Sequence, residues 1–232
     1  MGVTSEPALS QTARQLRLSL ERARTDRRAD FIVGPSNATA VAAVDRWPDW
    51  SGGCLVLVGP TGAGKTHLAR AWAQASGAAP YDRTTCDVSA FAGQPVLLED
   101  ADQGVSDEVL FHLINLAARD GGLLLTARTR PAAWSCALSD LRSRLNALPV
   151  AEIEGADDTV LEGVLRRFFR DRNIRPPEAV FPYLLTRMGR SIPDAAEIVR
   201  RLDEAGDAGF RPVTRLLARQ ILEIEGAPDL FD

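Results

Sequence analysis

Short apolar runs and longer amphipathic stretches alternate through the middle of this chain. Runs of strand type occur at Cys54 to Val58, Val96 to Glu99, Leu123 to Thr126 and around Val150 to Ile153. After the first of them, Leu68, Ala69, Trp72 and Ala73 recur at helical spacing within Thr66 to Ser76. Such alternation predicts an α/β fold with a parallel sheet covered by helices. From Gly155 onward the pattern is helical throughout. Val160, Leu161, Val164, Leu165, Phe168 and Phe169 make one stripe, and Val180, Phe181, Leu184, Leu185 and Met188 a second. Ile198, Val199 and Leu202, then Leu216, Leu217, Ile221 and Leu222, make two more, which predicts a small all-helical domain. The chain therefore divides into a polar, arginine-rich leader over 1–29, a core over 30–154 and a helical domain over 155–232.

Composition narrows the class. With 232 residues, 45% hydrophobic content and a net charge of −4, the chain can bury a sizeable core and lacks a generally basic, nucleic-acid-coating surface. No run reaches membrane-spanning length and the N-terminus has no apolar signal region, so a cytoplasmic protein with no membrane partner is expected. Cys54, Cys86 and Cys136 are scattered without C-x-x-C spacing and read as reduced thiols. His67 and His112 have no ligand partners at metal spacing.

One residue changes the picture. Lys65 is the only lysine among 27 basic residues, and it lies in Gly59-Pro60-Thr61-Gly62-Ala63-Gly64-Lys65-Thr66. This is the complete G-x-x-x-x-G-K-[ST] pattern, in which backbone N–H groups cradle phosphates and the hydroxyl ligates Mg²⁺. A compact ammonium reaches between phosphates where a guanidinium fork is too bulky. A strand before the loop and a helix after it supply the required context, the helix adding its positive N-terminal dipole. Pro95-Val96-Leu97-Leu98-Glu99-Asp100-Ala101-Asp102 is an apolar strand ending in acids, so Glu99 and Asp100 are expected with Thr66 around Mg²⁺ and water.

Several further segments carry a resemblance. Phe31-Ile32-Val33-Gly34-Pro35-Ser36-Asn37, Gly64-Lys65-Thr66-His67-Leu68, the strand ending at Glu99-Asp100, Leu125-Thr126 with Arg130-Pro131, and Asp140-Leu141-Arg142-Ser143-Arg144-Leu145 are similar to the AAA+ core of the DnaA replication-initiator family. The likeness covers about residues 30 to 225. Its most specific parts are the Phe-x-x-Gly-x-Ser-Asn box and the Leu-Arg-Ser-Arg-Leu segment. The chain stops at Asp232 without an origin-reading helix-turn-helix, and in this it resembles the Hda/HdaA family of DnaA-related regulatory inactivators.

That resemblance implies an AAA+ P-loop core with a helical lid, ADP or ATP with Mg²⁺ as ligand, and DnaA and the DNA polymerase III sliding clamp as partners. It implies no sequence-specific DNA binding and leaves homo-oligomerisation open. Nucleotide contacts carry over to Asn37, His67 and Thr126 besides the P-loop, and Arg144 to an arginine finger offered in trans to DnaA-bound ATP. Gln15-Leu16-Arg17-Leu18-Ser19-Leu20 matches the family's clamp peptide, with Gln15, Leu16, Leu18 and Leu20 as contacts. Leu9, Ala13, Leu16 and Leu20 also fall at helical spacing, so a helix packed on the core is the alternative. Asp229-Leu230-Phe231 resembles the end of a second such peptide or is a plain tail. Three departures stand out. The acids read Glu99-Asp100 where initiators commonly have Asp first, Pro193 occupies the place of the sensor 2 arginine, and Arg128 stands where an acid is usual. Weak or no turnover is expected and, without a lid arginine, little discrimination between ATP and ADP. A helicase-loader-like ATPase acting on single-stranded DNA is the competing function. It requires a basic groove with aromatic platforms, and only 6% of the residues are aromatic.

Overall fold

In the computed structural model, which describes residues 27–84, 87–209 and 212–225, one parallel sheet of five strands carries the P-loop. The strands are β1 (Cys54–Val58), β2 (Ala79–Pro80), β3 (Pro95–Leu98), β4 (Gly122–Ala127) and β5 (Val150–Glu152), in the order β2-β3-β4-β1-β5. Helices α1 (Ala38–Asp45), α2 (Lys65–Ser76), α3 (Asp107–Asp120) and α4 (Ser139–Ala147) accompany the sheet. Both faces are covered, which is why the strands read as continuous apolar runs rather than alternating ones.

Strand parity sorts the side chains into two layers. Cys54, Val56 and Val58 join Val96, Leu98, Leu123 and Leu125 in a core beneath α3 and α4. Leu55, Leu57, Leu97 and Leu124 point the other way, into a core with Leu68 and Trp72 of α2 and Val41 and Val44 of α1. Trp72 stacks on Trp50 with centroids 5.1 Å apart, and Trp47 meets both edge-on.

The stripes after Gly155 form α5 (Asp158–Asp171), α6 (Val180–Leu185), α7 (Ile192–Gly209) and α8 (Arg215–Glu225). They enclose a core of their own, including Leu161, Leu165, Phe169, Leu184, Val199 and Leu202. Among the described residues no helix is long and apolar enough to cross a membrane.

The Phe31-to-Asn37 box joins the two cores. Asp157, the N-cap of α5, accepts from Val160 N at 2.8 Å through Oδ1 and from Ser36 N at 2.8 Å through Oδ2. Glu154 N donates to Ser36 O at 3.0 Å. Arg167 Nη1 of α5 donates to Asp30 O at 2.6 Å. Burial would raise the Asp157 carboxyl, but the hydrogen bonds from Val160, Ser36 and Thr159 outweigh it and hold its pKa below the usual carboxylate value. A depressed pKa in the folded state gives stability that is complete above the unfolded pKa and is lost as pH falls through the folded one. Asp157→Ala is therefore expected to cost about 1–2 kcal/mol at neutral pH, the upper part of the N-cap range. Thermal melts of the two proteins should begin to converge as pH falls below about 4 and should meet only below the depressed pKa of the folded state, and a gap independent of pH would contradict this role.

Candidate nucleotide site

The P-loop is held to the sheet at its first residue. Gly59 N donates to Ala127 O at 3.2 Å, and a Cβ at Gly59 would lie 2.4 Å from Ile153 O, so no side chain fits there. The loop then turns through Gly62 at φ 78° and Gly64 at φ 97°, backbone that L side chains rarely adopt. Helix α2 begins at once, with Gly64 as its N-cap and Lys65 as its first residue. Lys65 is only 7% exposed. Its Nζ donates to Gly59 O at 2.7 Å and Pro60 O at 2.9 Å. Burial pulls the ammonium below its usual pKa, Arg128 adds to that, and Asp100 and Asp102 oppose it. Thr66 is exposed in the first turn of α2.

Beside the loop, the Phe31 ring lies where a Gly64 Cβ would come within 3.3 Å, and His67 meets it edge-on at 5.4 Å. His67 Nε2 is 3.3 Å from Arg27 O, so this ring belongs to the wall flanking the loop.

The structure separates the two acids expected together. Glu99 continues the face of Leu97, toward α2, where its Oε1 accepts from Arg70 Nε at 2.9 Å. It lines a cleft of about 430 Å³ with Arg70, Tyr81 and Arg83. Of the two acids expected at Mg²⁺, Asp100 is the one whose charge acts on Lys65. Asp100 leaves the strand at φ 50°, and its N–H donates to Thr126 Oγ1 at 3.0 Å. Arg83 clamps this turn by donating to the carbonyls of Glu99 and Asp100, at 2.9 Å each, and to that of Gln103.

Asp102 is a functional candidate that motif reading passed over. Its Oδ2 accepts from Arg128 N at 2.9 Å, Thr129 N at 3.2 Å and Thr129 Oγ1 at 3.3 Å. Its Oδ1 is buried with no hydrogen-bond partner among the described residues. The acidic run extending two residues past Asp100 was the available signal.

Other expected ligands have different work. Asn37 is 2% exposed, its Oδ1 accepts from Gly34 N at 2.9 Å and its Nδ2 donates to Ile32 O at 3.0 Å. Both ends of its amide shape the box. Thr126 is 1% exposed and braces the acidic turn through Oγ1 and through its carbonyl, which accepts from Ala101 N at 2.7 Å. In α4, Arg142 is committed to Trp134 O at 2.6 Å and Ala132 O at 3.3 Å. Arg144 is exposed, its guanidinium 5.0 Å from the centre of the Phe111 ring. Gln15, Leu16, Leu18 and Leu20 lie outside the described residues, as do Cys86 and Asp229-Leu230-Phe231.

The helical domain reaches the loop through the start of α7. Ile192 N donates to Gly62 O at 3.3 Å, and the Pro193 ring lies where a Gly62 Cβ would come within 2.8 Å. Ser191 and Asp194 close the expected cap, with Asp194 N donating to Ser191 Oγ at 3.2 Å and that hydroxyl to Asp194 Oδ2 at 2.6 Å. Arg190 pairs with Asp158 at 2.8 Å.

The donor set fits a polyphosphate and a divalent ion. Glycine-shaped backbone at a helix N-terminus and a buried lysine suit phosphate oxygens. Thr66, in the first turn of α2, and Asp100, whose charge acts on Lys65, would be the oxygen donors for Mg²⁺, an ion bound through one or two carboxylates beside substrate phosphates.

No family model matches the chain. It is 26% identical over 224 residues to the chromosomal replication initiator DnaA of Caulobacter vibrioides, covering 79% of this chain and 45% of that protein. The chain thus spans less than half the length of this curated relative. Its fold superposes on domain III of Thermotoga maritima DnaA with TM-score 0.72 at 17% identity, covering 89% of this chain and 99% of that one. AMPPCP-bound DnaA from Aquifex aeolicus gives 0.65 at 18% identity, covering 81% and 68%. The parallel sheet, P-loop and helices are those of an AAA+ P-loop domain. Within that fold its sequence is similar to that of DnaA, at 26% identity.

Gly62→Ala places a side chain against Pro193 and at a positive φ, a combination expected to cost about 1–2 kcal/mol for the backbone alone. Hydrogen exchange of the Ile192 amide should accelerate at least tenfold. Unchanged exchange would mean that α7 is not held by this contact.

Proposed function

We propose that this chain is a DnaA-related regulator of replication initiation that holds an adenine nucleotide, docks on the sliding clamp and promotes hydrolysis of ATP held by DnaA. The AAA+ core is assigned to 30–154 and the lid to 155–232. Lys65 and the loop amides would hold the β- and γ-phosphates, and Thr66 and Asp100 would hold Mg²⁺, which supplies charge neutralisation when bound. Asp102, Thr126 and Arg83 fix the acidic turn from which Asp100 projects. AMPPCP in the Aquifex aeolicus DnaA supports an adenine nucleotide as the ligand. The lid brings a proline ring and a backbone amide to Gly62 rather than a cation, in keeping with weak turnover by the chain alone.

The observation that carries the regulatory reading is the contrast within α4. Arg142 is spent on main-chain carbonyls, while Arg144 stands exposed on an aromatic ring, where a shift of partner costs little. An exposed, pre-oriented guanidinium is what a neighbouring ATP needs in its transition state. The clamp contact rests on the sequence pattern at Gln15 to Leu20.

The test is ATP hydrolysis by DnaA with DNA-loaded clamp, adding wild-type protein, Gln15→Ala, Leu20→Ala or Arg144→Ala. Wild type should stimulate, and all three variants should lose stimulation. Arg144→Ala should lose on the order of a thousandfold, the lower bound for an arginine finger, while still binding clamp. No stimulation by wild type, with salt-sensitive binding to single-stranded DNA instead, would transfer the chain to the helicase-loader class.

A further inference from the structure

The helical domain carries a cleft of about 570 Å³ between the end of α5 and the start of α6, lined by none of the residues of the nucleotide site. Helix α5 stops at Asp171, and Asn173 at φ 57° turns the chain. Ile174 N donates to Phe169 O at 2.9 Å and closes that turn. Ile174-Arg175-Pro176-Pro177 then runs without helix or strand, as expected where residues precede prolines and are kept from helical backbone. Phe169 and Phe181, 1% and 3% exposed, meet edge-on and form the floor of the cleft. Ile174 and Pro176 add an apolar ledge that stays half-buried.

Charge around this cleft is unbalanced. Arg166 is spent, since its fork donates to Glu178 Oε1 at 3.0 Å and Glu162 Oε1 at 2.8 Å and lies 4.1 Å from the centre of the Phe181 ring. Arg170 and Arg175 are exposed, and their guanidinium groups make no hydrogen bond or ion pair among the described residues. Other arginines of the domain are engaged: Arg190, Arg200 and Arg219 pair with carboxylates, and Arg187 and Arg215 lie on the Tyr183 ring. The backbone between the two free cations and the ledge is open as well. Arg175 neither donates nor accepts a main-chain hydrogen bond among the described residues.

Free guanidinium forks suit carboxylates, the ledge suits an apolar side chain, and an unused amide and carbonyl suit main-chain pairing. An extended peptide supplies all three, because its side chains alternate in direction while its backbone pairs along its length. Single-stranded nucleic acid would satisfy the cations, but its bases need exposed aromatic faces, and both phenylalanines here are buried. We infer that this cleft docks an acidic peptide segment of a partner protein, with one apolar side chain seated on Ile174 and Pro176 and flanking carboxylates meeting Arg170 and Arg175. Exposed ion pairs are individually weak, so the apolar anchor contributes affinity and the two arginines select the sign of the partner's charge.

Fluorescence anisotropy of the labelled hexapeptide Asp-Glu-Ile-Trp-Glu-Asp tests this on the full chain. The proteins compared are wild type, the double variant Arg170→Ala/Arg175→Ala, and Arg219→Ala as a control for general surface charge, with melting temperatures as the fold control. Wild type and Arg219→Ala should bind alike, and about tenfold more tightly than they bind the same peptide with lysine for its acids or serine for its isoleucine and tryptophan. The double variant should lose about tenfold with its melting temperature unchanged, and wild-type affinity should fall as salt rises. Equal binding by the double variant, or no binding of the peptide by wild type, would overturn the inference. So would tighter binding of an oligothymidylate that the double variant loses, which would assign the cleft to nucleic acid.

Discussion

Lys65 carries a positive charge into a place where 7% of it is exposed, and removing an ammonium from water is costly unless oxygens surround it. The rest of the phosphate end is arranged around that requirement. The P-loop curls so that the carbonyls of Gly59 and Pro60 accept from Nζ. The curl needs backbone that only glycine tolerates, at Gly59 for want of room and at Gly62 and Gly64 for their dihedrals. Asp100 and Asp102 offset the burial through space, and Thr126, Arg83 and the amides of Arg128 and Thr129 hold those acids where they act. One buried cation therefore links four strand ends and the first turn of α2.

The lid is tied to the same place by two kinds of contact. Near the box, Asp157 serves as the cap of α5 and as acceptor for Ser36, so the start of the lid and the entry to the core share one carboxylate. At the loop itself, Ile192 and Pro193 touch Gly62 through a backbone amide and an apolar ring. Any ligand that reshapes the P-loop therefore acts on the first turn of α7, the physical route by which bound nucleotide would order core against lid.

Much of this was legible in the chain, for identifiable reasons. Strands buried on both faces read as apolar runs, and the lid helices, half in contact with a core, read as stripes. The strand β2 has two residues, Ala79 and Pro80, at a sheet edge and carries no such signal. Helix α1 is short and made of alanine and valine, which fit strand or helix. Glu99 and Asp100 could not be told apart because alternation holds only while the strand continues. At Asp100 the backbone turns to φ 50°, so its neighbour keeps the face of Leu97 while Asp100 escapes the rule. That Asn37 spends its amide within the box was not legible, because a motif shows which polar group is present but not what it bonds. Pattern matching also favours named positions, and so it passed over Asp102 and Arg83, whose roles are to hold others.

The central claim is that this site exists to bind a polyphosphate nucleotide through its single lysine. Calorimetric titration of wild type and Lys65→Ala with ATP and Mg²⁺ addresses it most directly. The account predicts one site per chain in wild type and no measurable binding in a folded Lys65→Ala. Equal affinity in the two proteins would contradict it.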